Sequence, residues 1–292
     1  MSEAYDAAIH AIRPDAQSLV GLGGGDFNEV VLVDDQEVFR FPKDEEGRGA
    51  LRYDAALLDR LDGKVSLQIP RPIELAEDAS YGVFSFVPGR VLPAEAIQAF
   101  SAEEMRALGQ ALATFMLQIS AILTVSEMLE LRSRYDPNYE NDAQYYERIL
   151  REATTANSPL LTTYKQYYDA LLARFGGRLP QNEIVTHGDL HYGNFVFSDT
   201  NELTGVIDFS DCGPSSIYGD LRQIYRLGEP LVQSVVDGLD GALGPINMDV
   251  VRTFAVVHEL SVLLRSKEPN ERADLAESLL RQWLGDDWRE QT

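Results

Sequence analysis

Asp189, Asn194 and Asp208 stand in two short stretches, IVTHGDLHYGNFVF at 184–197 and LTGVIDFSDC at 203–212. The Asn follows the first Asp by five residues, and the second Asp follows the Asn by 14. A carboxylate, an amide oxygen and a second carboxylate are what a magnesium-bound phosphate asks of a protein. One group orients or deprotonates a hydroxyl and two hold the metal. Asp189 is the candidate base, Asn194 can turn its amide oxygen toward magnesium, and Asp208, at the end of an apolar strand, is the charged ligand. A polar hairpin loop uses the same Gly, Asp and Asn for turn geometry. HGDLHYGN by itself leaves both readings open, and the VIDFS strand weighs for the metal site.

Upstream, Gly23, Gly24 and Gly25 lie between the first two apolar runs. Glycines there let backbone N–H groups approach phosphate oxygens, although a plain turn has the same composition. No Walker-type GxxxxGK[ST] occurs, which excludes a P-loop. Arg40 lies two runs on in EVFRFP, and Asp54 follows 14 residues later. A basic residue on a third strand, paired with an acid on the next helix, can grip phosphates.

The elements that must position these groups change character along the chain. Residues 2–12 predict a short helix ending before Pro14. SLVGLGGG, FNEVVLVDD and EVFRFP (18–25, 27–35 and 37–42) predict an antiparallel meander, 48–61 a helix, and IPRPIELAED and YGVFSFV two further strands. From Ser101, in capping-box spacing with Glu104, helical patterns dominate at about 138–155, 158–175, 215–226, 248–266 and 270–284. Short β-like pieces interrupt them around 184–209. The expectation is an α+β protein in two lobes: a small five-stranded lobe with one helix over residues 1–88, and a larger helical lobe over 89–292.

The chain has 292 residues and a formal net charge of −22, from 47 acidic against 25 basic residues. That balance argues against a nucleic-acid or anionic-membrane surface, both of which need clustered Lys and Arg. It suits a cationic small molecule. Cys212 is the only cysteine, so no intrachain disulfide forms. With no signal-like N-terminus and no apolar run of about 20 residues, a cytoplasmic protein is expected.

The set GLGGGDFNEVVLVDDQEVFRFPK, LRYDAALLDRL, FSFVPGRVL, VTHGDLHYGN and GVIDFSD resembles the aminoglycoside phosphotransferase superfamily. The five-residue step from Asp189 to Asn194 is also that of the protein-kinase loop HRDxxxxN. The resemblance implies a bilobal protein-kinase-like fold and a kinase of small molecules that uses ATP or GTP with Mg2+. It makes Asp189 catalytic and Asn194 and Asp208 the magnesium ligands. His187 would support the loop, Arg40 held by Asp54 would grip phosphates, and Ser85 and Val87 would offer backbone groups to the nucleotide base. The sequence departs from the family at Arg40 (usually Lys), at Asp54 (usually Glu) and in DFS for DFG.

For the acceptor, the candidates are Asp211, Asp220 and Glu259, with Asp220 also suited to steadying the catalytic loop. The chain-wide acidity points to an aminoglycoside. A macrolide, a choline-, homoserine- or sugar-type metabolite, or a nucleotide-binding pseudoenzyme are the alternatives. His191 receives no role.

Overall fold

The computed structural model describes residues 3–24, 27–266 and 268–289. In chain order the elements begin with α1 (Glu3–Ile12), β1 (Leu19–Gly24), β2 (Asn28–Val33), β3 (Glu37–Pro42), α2 (Glu45–Leu61), β4 (Pro72–Leu75) and β5 (Gly82–Ser85). There follow α3 (Ala94–Gln98), α4 (Ala102–Ile122), α5 (Val125–Tyr135), α6 (Asp142–Thr155), α7 (Leu161–Arg174), β6 (Ile184–Thr186), β7 (Phe195–Phe197) and β8 (Leu203–Val206). The chain closes with β9 (Gly213–Ser215), α8 (Ile217–Ile224), α9 (Glu229–Leu239), α10 (Met248–Arg265) and α11 (Glu271–Leu284). It forms two compact units. One gathers Met1–Leu92, Ser126–Tyr139 and Asn194–Asp211, and the other the remaining three stretches.

The first unit is built on an antiparallel sheet of order β1-β2-β3-β5-β4. Strand alternation divides its side chains between two faces. Val31, Val33, Phe39, Phe41 and Val83 bury one face together with Ile9 of α1, and Tyr5 stacks on Phe41 at 4.8 Å between ring centroids. Burying each such side chain stabilises the fold by roughly 1.5–3 kcal/mol. The opposite face carries Val30, Arg40 and Gly82 in one cross-strand row. Gly82 is closely packed: a Cβ there would lie 3.0 Å from both Leu51 Cδ1 and Phe84 Cε2, so those side chains would have to give way slightly. The hairpin β7–β8 joins this unit through backbone bonds. Gln68 N donates to Thr204 O at 2.9 Å, Val206 N to Gln68 O at 2.9 Å, and Arg90 N to Phe197 O at 3.0 Å.

The second unit is helical apart from the short pair β6–β9, in which Val185 faces Pro214. Ser101 and Glu104 form the expected capping box at the start of α4. Helix α4 lies close against α9, with a Cβ on Gly109 brought to 2.4 Å from Ser234 Cβ. Tyr146, Tyr164, Leu171, Phe254 and Val257 are fully or almost fully buried in the core of this unit. Among the described residues no single helix is long and apolar enough to cross a membrane.

Candidate functional site

In the first unit the sheet face that carries Arg40 walls a cavity of about 540 Å³. Leu22, Val30, Phe84, Val87, Val91 and Ile207 give it apolar sides, and Arg40, Asn194, Asp208 and Ser210 a polar end. Gly23 also lines it, at a bulge where β1 shifts register against β2. Its φ of 87° requires glycine there, whereas the space around a Cβ is open. Gly24 ends β1, and Gly25 lies outside the described residues. Ser85 and Val87 both reach the cavity, but the Ser85 N–H already donates to Arg71 O at 2.8 Å.

The hairpin explains the spacing of Asn194 and Asp208. Phe195 pairs with Val206, and one step outward Ile207 N donates to Asn194 O at 3.0 Å. Both residues therefore sit at the open end of one ladder, with the 14-residue gap taken up by two strands and their turn. Asp208 has φ of 63°, a left-handed conformation that costs a non-glycine residue about 1–3 kcal/mol and recurs at functional positions.

Arg40 Nη1 donates to Asp54 Oδ2 at 2.8 Å, and its guanidinium lies 4.7 Å from the Phe84 ring centroid. The Asp54 side chain is almost wholly buried, at 1% exposure. Burial pushes its carboxyl up to about 6. Arg40 opposes that shift, and the charge of Asp208 adds to it. The Ser210 hydroxyl stands between the two acids, 3.1 Å from Asp208 Oδ1 and 3.3 Å from Asp54 Oδ2. Arg132 in turn donates to Ser210 O at 2.6 Å, and its guanidinium lies 3.7 Å from the Tyr53 ring centroid.

The donors suit magnesium. Asp208 is exposed, Asn194 brings an amide oxygen, and both line the polar end of the cavity. No cluster of three His, Cys, Asp or Glu that could hold a metal occurs among the described residues. Asn194 and Asp208 would together offer magnesium two oxygen donors, the small protein contribution that this cation usually takes beside phosphate and water.

In the second unit, Asp189 sits in the loop after β6. Asp220 on α8 accepts from the backbone N–H groups of His187 at 3.1 Å and Gly188 at 2.8 Å, which fixes the loop's path. Burial pushes the Asp220 carboxyl up to about 7, against the pull of these two donors. The Asp189 carboxylate is held at both oxygens, by Gln223 Nε2 at 3.1 Å and by His191 Nε2 at 3.3 Å. Burial works against its charge but is outweighed by the His191 bond and by His191, His187 and Arg226. Asp189 therefore stays well below the usual carboxylate range. Glu259, 1% exposed, takes Arg226 Nε at 2.7 Å, as a buried carboxylate requires. Asp211 is exposed in a turn.

The structure thus gathers Gly23, Arg40, Asp54, Ser85, Val87, Asn194 and Asp208 at or beside one cavity. Asp189 and Asp220 share one loop. Ser210, Arg132, Gln223 and His191 had no assigned role in the sequence reading. His191, two residues from Asp189, and Ser210, two residues from Asp208, stand close to the motif residues in sequence, whereas Arg132 and Gln223 do not.

A model of the phosphotransferase enzyme family (APH) matches residues 18–254. No curated protein matches the sequence. Among solved structures, the chain is similar to the GDP complex of wild-type aminoglycoside 2'-phosphotransferase-IIIa. The identity is 24%, with 99% of each chain covered and a TM-score of 0.76. It is similar to APH(2")-IIa in its streptomycin–ATP ternary complex, at 19% identity, 96% of each chain and a TM-score of 0.71. The macrolide 2'-phosphotransferase MphH from Brachybacterium faecium, as apoenzyme, gives 17% identity, 95% of this chain and 98% of that one, and a TM-score of 0.66. These likenesses give the fold, and the family match over most of the sequence gives the kinship: the chain belongs to the phosphotransferase enzyme family.

Proposed function

We propose that this protein transfers the γ-phosphoryl group of ATP or GTP to a hydroxyl of an aminoglycoside antibiotic, acting in the cytoplasm. The observation that carries the reading is the first unit's cavity, apolar along its sides and ending in Arg40, Asn194 and Asp208. A nucleotide has that division of chemistry, with a flat apolar base and a charged triphosphate. The aminoglycoside is favoured over other acceptors by the net charge of −22, which attracts a polycation.

In this reading Arg40, steadied by Asp54, binds the phosphates, and Gly23 gives close backbone approach to them. Asn194 and Asp208 would hold magnesium, which would offset the negative charge of the transferring phosphoryl group. Asp189 accepts a hydrogen bond from the acceptor hydroxyl and aligns it for attack. Because Asp189 stays ionised well into acid, it works as an orienting group that takes the proton late, as bond formation acidifies the hydroxyl. The acceptor's ammonium groups are left to the acidic surface, Asp211 among it.

The test is nucleoside-diphosphate release with magnesium and ATP or GTP, against aminoglycosides, macrolides and simple hydroxylated metabolites. Turnover is expected with aminoglycosides, and Asp189→Ala is expected to keep nucleotide affinity while losing transfer by several orders of magnitude. Turnover confined to another panel member would replace the acceptor. Full activity in Asp189→Ala would overturn the mechanism.

A further inference from the structure

Asp189 is the group on which the proposed chemistry turns, and one of its two oxygens is held by a residue without an assigned role. Gln223 is 4% exposed, and its Nε2 donates to Asp189 Oδ1 at 3.1 Å. Among the described residues, the buried Gln223 Oε1 has no hydrogen-bond partner. Leaving a buried acceptor unpaired is costly, so the side chain is kept in an arrangement that serves its amide N–H₂ at the expense of its oxygen. The opposite rotation would turn the oxygen toward the carboxylate and is repelled.

Position on the helix adds to this. Asp220 and Gln223 are three residues apart on α8, so they share one face. From that face Asp220 takes the N–H groups of His187 and Gly188, and Gln223 takes the side chain of the next residue, Asp189. One helix fixes both the path of the loop and the rotation of its carboxylate. His191, from the loop itself, reaches the other oxygen at 3.3 Å.

We infer that Gln223 is a positioning residue for phosphoryl transfer, setting the rotation of the Asp189 carboxylate by donating one hydrogen bond to Oδ1. The inference rests on the reading of Asp189 as the orienting carboxylate. Gln223 at Oδ1 and His191 at Oδ2 together fix the rotation of the carboxylate, and the hydrogen bond donated by Gln223 favours the ionised form. The charged and titratable groups that bear on Asp189 are His187 and His191 from its own loop, Arg222 on α8, Arg226 in the following turn, and His258 on α10.

Two variants of the enzyme test this, read by pH–rate profiles with saturating nucleotide and acceptor. Gln223→Met keeps the volume and removes the donor. Its kcat is expected to fall about 10- to 100-fold, the equivalent of one charge-assisted hydrogen bond, with nucleotide KM unchanged and the acid limb of the profile moved up. Gln223→Glu restores a donor only when its own carboxyl is protonated. Its activity relative to the parent is expected to rise as pH falls, the reverse of the Met variant. Parallel profiles in both variants, or a wild-type profile in either, would overturn the role of Gln223. Thermal melts and nucleotide affinity identify a variant that has merely misfolded, and the opposed pH trends are independent of the amount folded. Asp189→Ala, assayed alongside, separates the two claims. An active Asp189→Ala removes the parent reading, whereas an inactive one beside unaltered Gln223 profiles removes this inference alone.

Discussion

Arg40 on β3 and Asp54 on α2 form a 2.8 Å ion pair whose acid is 1% exposed and whose base is 13% exposed. The forked guanidinium spans what a shorter acid leaves open, so Arg and Asp form a matched pair at this position. Removing the base strands a buried carboxylate. Arg40→Ala is expected to cost about 3–5 kcal/mol of stability and to raise nucleotide KM at least tenfold. Arg40→Lys alone is expected to weaken nucleotide binding, and Asp54→Glu to recover part of that loss in the double variant. Calorimetric nucleotide titration of the parent, Arg40→Lys, Asp54→Glu and the double variant checks this, and additive losses in the double variant would contradict the matched pair.

Ser210 places one hydroxyl proton between two acids, so it can satisfy Asp208 or Asp54 but not both at once. Ser210→Ala is expected to lower stability by about 1 kcal/mol. It should also raise the magnesium concentration for half-maximal rate a few-fold, because Asp208 loses a fixed neighbour. Metal titration at constant nucleotide reads the effect, and an unchanged midpoint would show that the hydroxyl is idle.

Asp220 gives a pH dependence with a definite sign. Its folded carboxyl, pushed up to about 7, holds its proton more tightly than the ordinary value of 3.8. The folded state therefore binds more protons than the unfolded state between those values, and this site's contribution to stability falls as pH rises from about 4 to 7. The change is of the order of a few kcal/mol. Asp220→Asn is expected to be less stable near pH 4–5 and to lack that downward component. Chemical denaturation at intervals between pH 4 and 8 compares the two slopes, and parallel curves would count against a raised Asp220.

Gly109 is held small by the approach of α4 to α9. A Cβ would sit 2.4 Å from Ser234 Cβ and 3.0 Å from Val235 N. Gly109→Ala is expected to destabilise by about 1–3 kcal/mol, lowering Tm by several degrees without changing nucleotide affinity. A melt equal to that of the parent would mean that the helices separate at no cost.

Much of the site is legible in the sequence because local geometry places it. The hairpin β7–β8 lines up Asn194 with Asp208, and the alternation on β3 turns Arg40 away from Phe39 and Phe41. Long-range partners leave no local trace. Gln223 meets Asp189 across 34 residues and Arg132 meets Ser210 across 78. The insertion of β5 between β3 and β4, and the joining of Ser126–Tyr139 to the sheet unit, are likewise products of tertiary burial. From sequence Glu259 and Asp220 are acceptor candidates, Asp220 being suited also to steadying the catalytic loop. In the fold each is buried, and each is engaged, by Arg226 and by two backbone N–H groups.

The first unit draws its last stretch, Asn194–Asp211, from far along the chain. During synthesis at about 5–20 residues per second, roughly 6–24 s separate the emergence of Leu92 from that of Asp211. For that interval the backbone of Gln68 and Arg90 has no β7–β8 hairpin to bond, and the cavity lacks its Val196 and Ile207 wall. The nascent sheet waits on the ribosome with an apolar side uncovered. The first unit therefore cannot be completed until the segment Asn194–Asp211 has been made, long after its sheet strands.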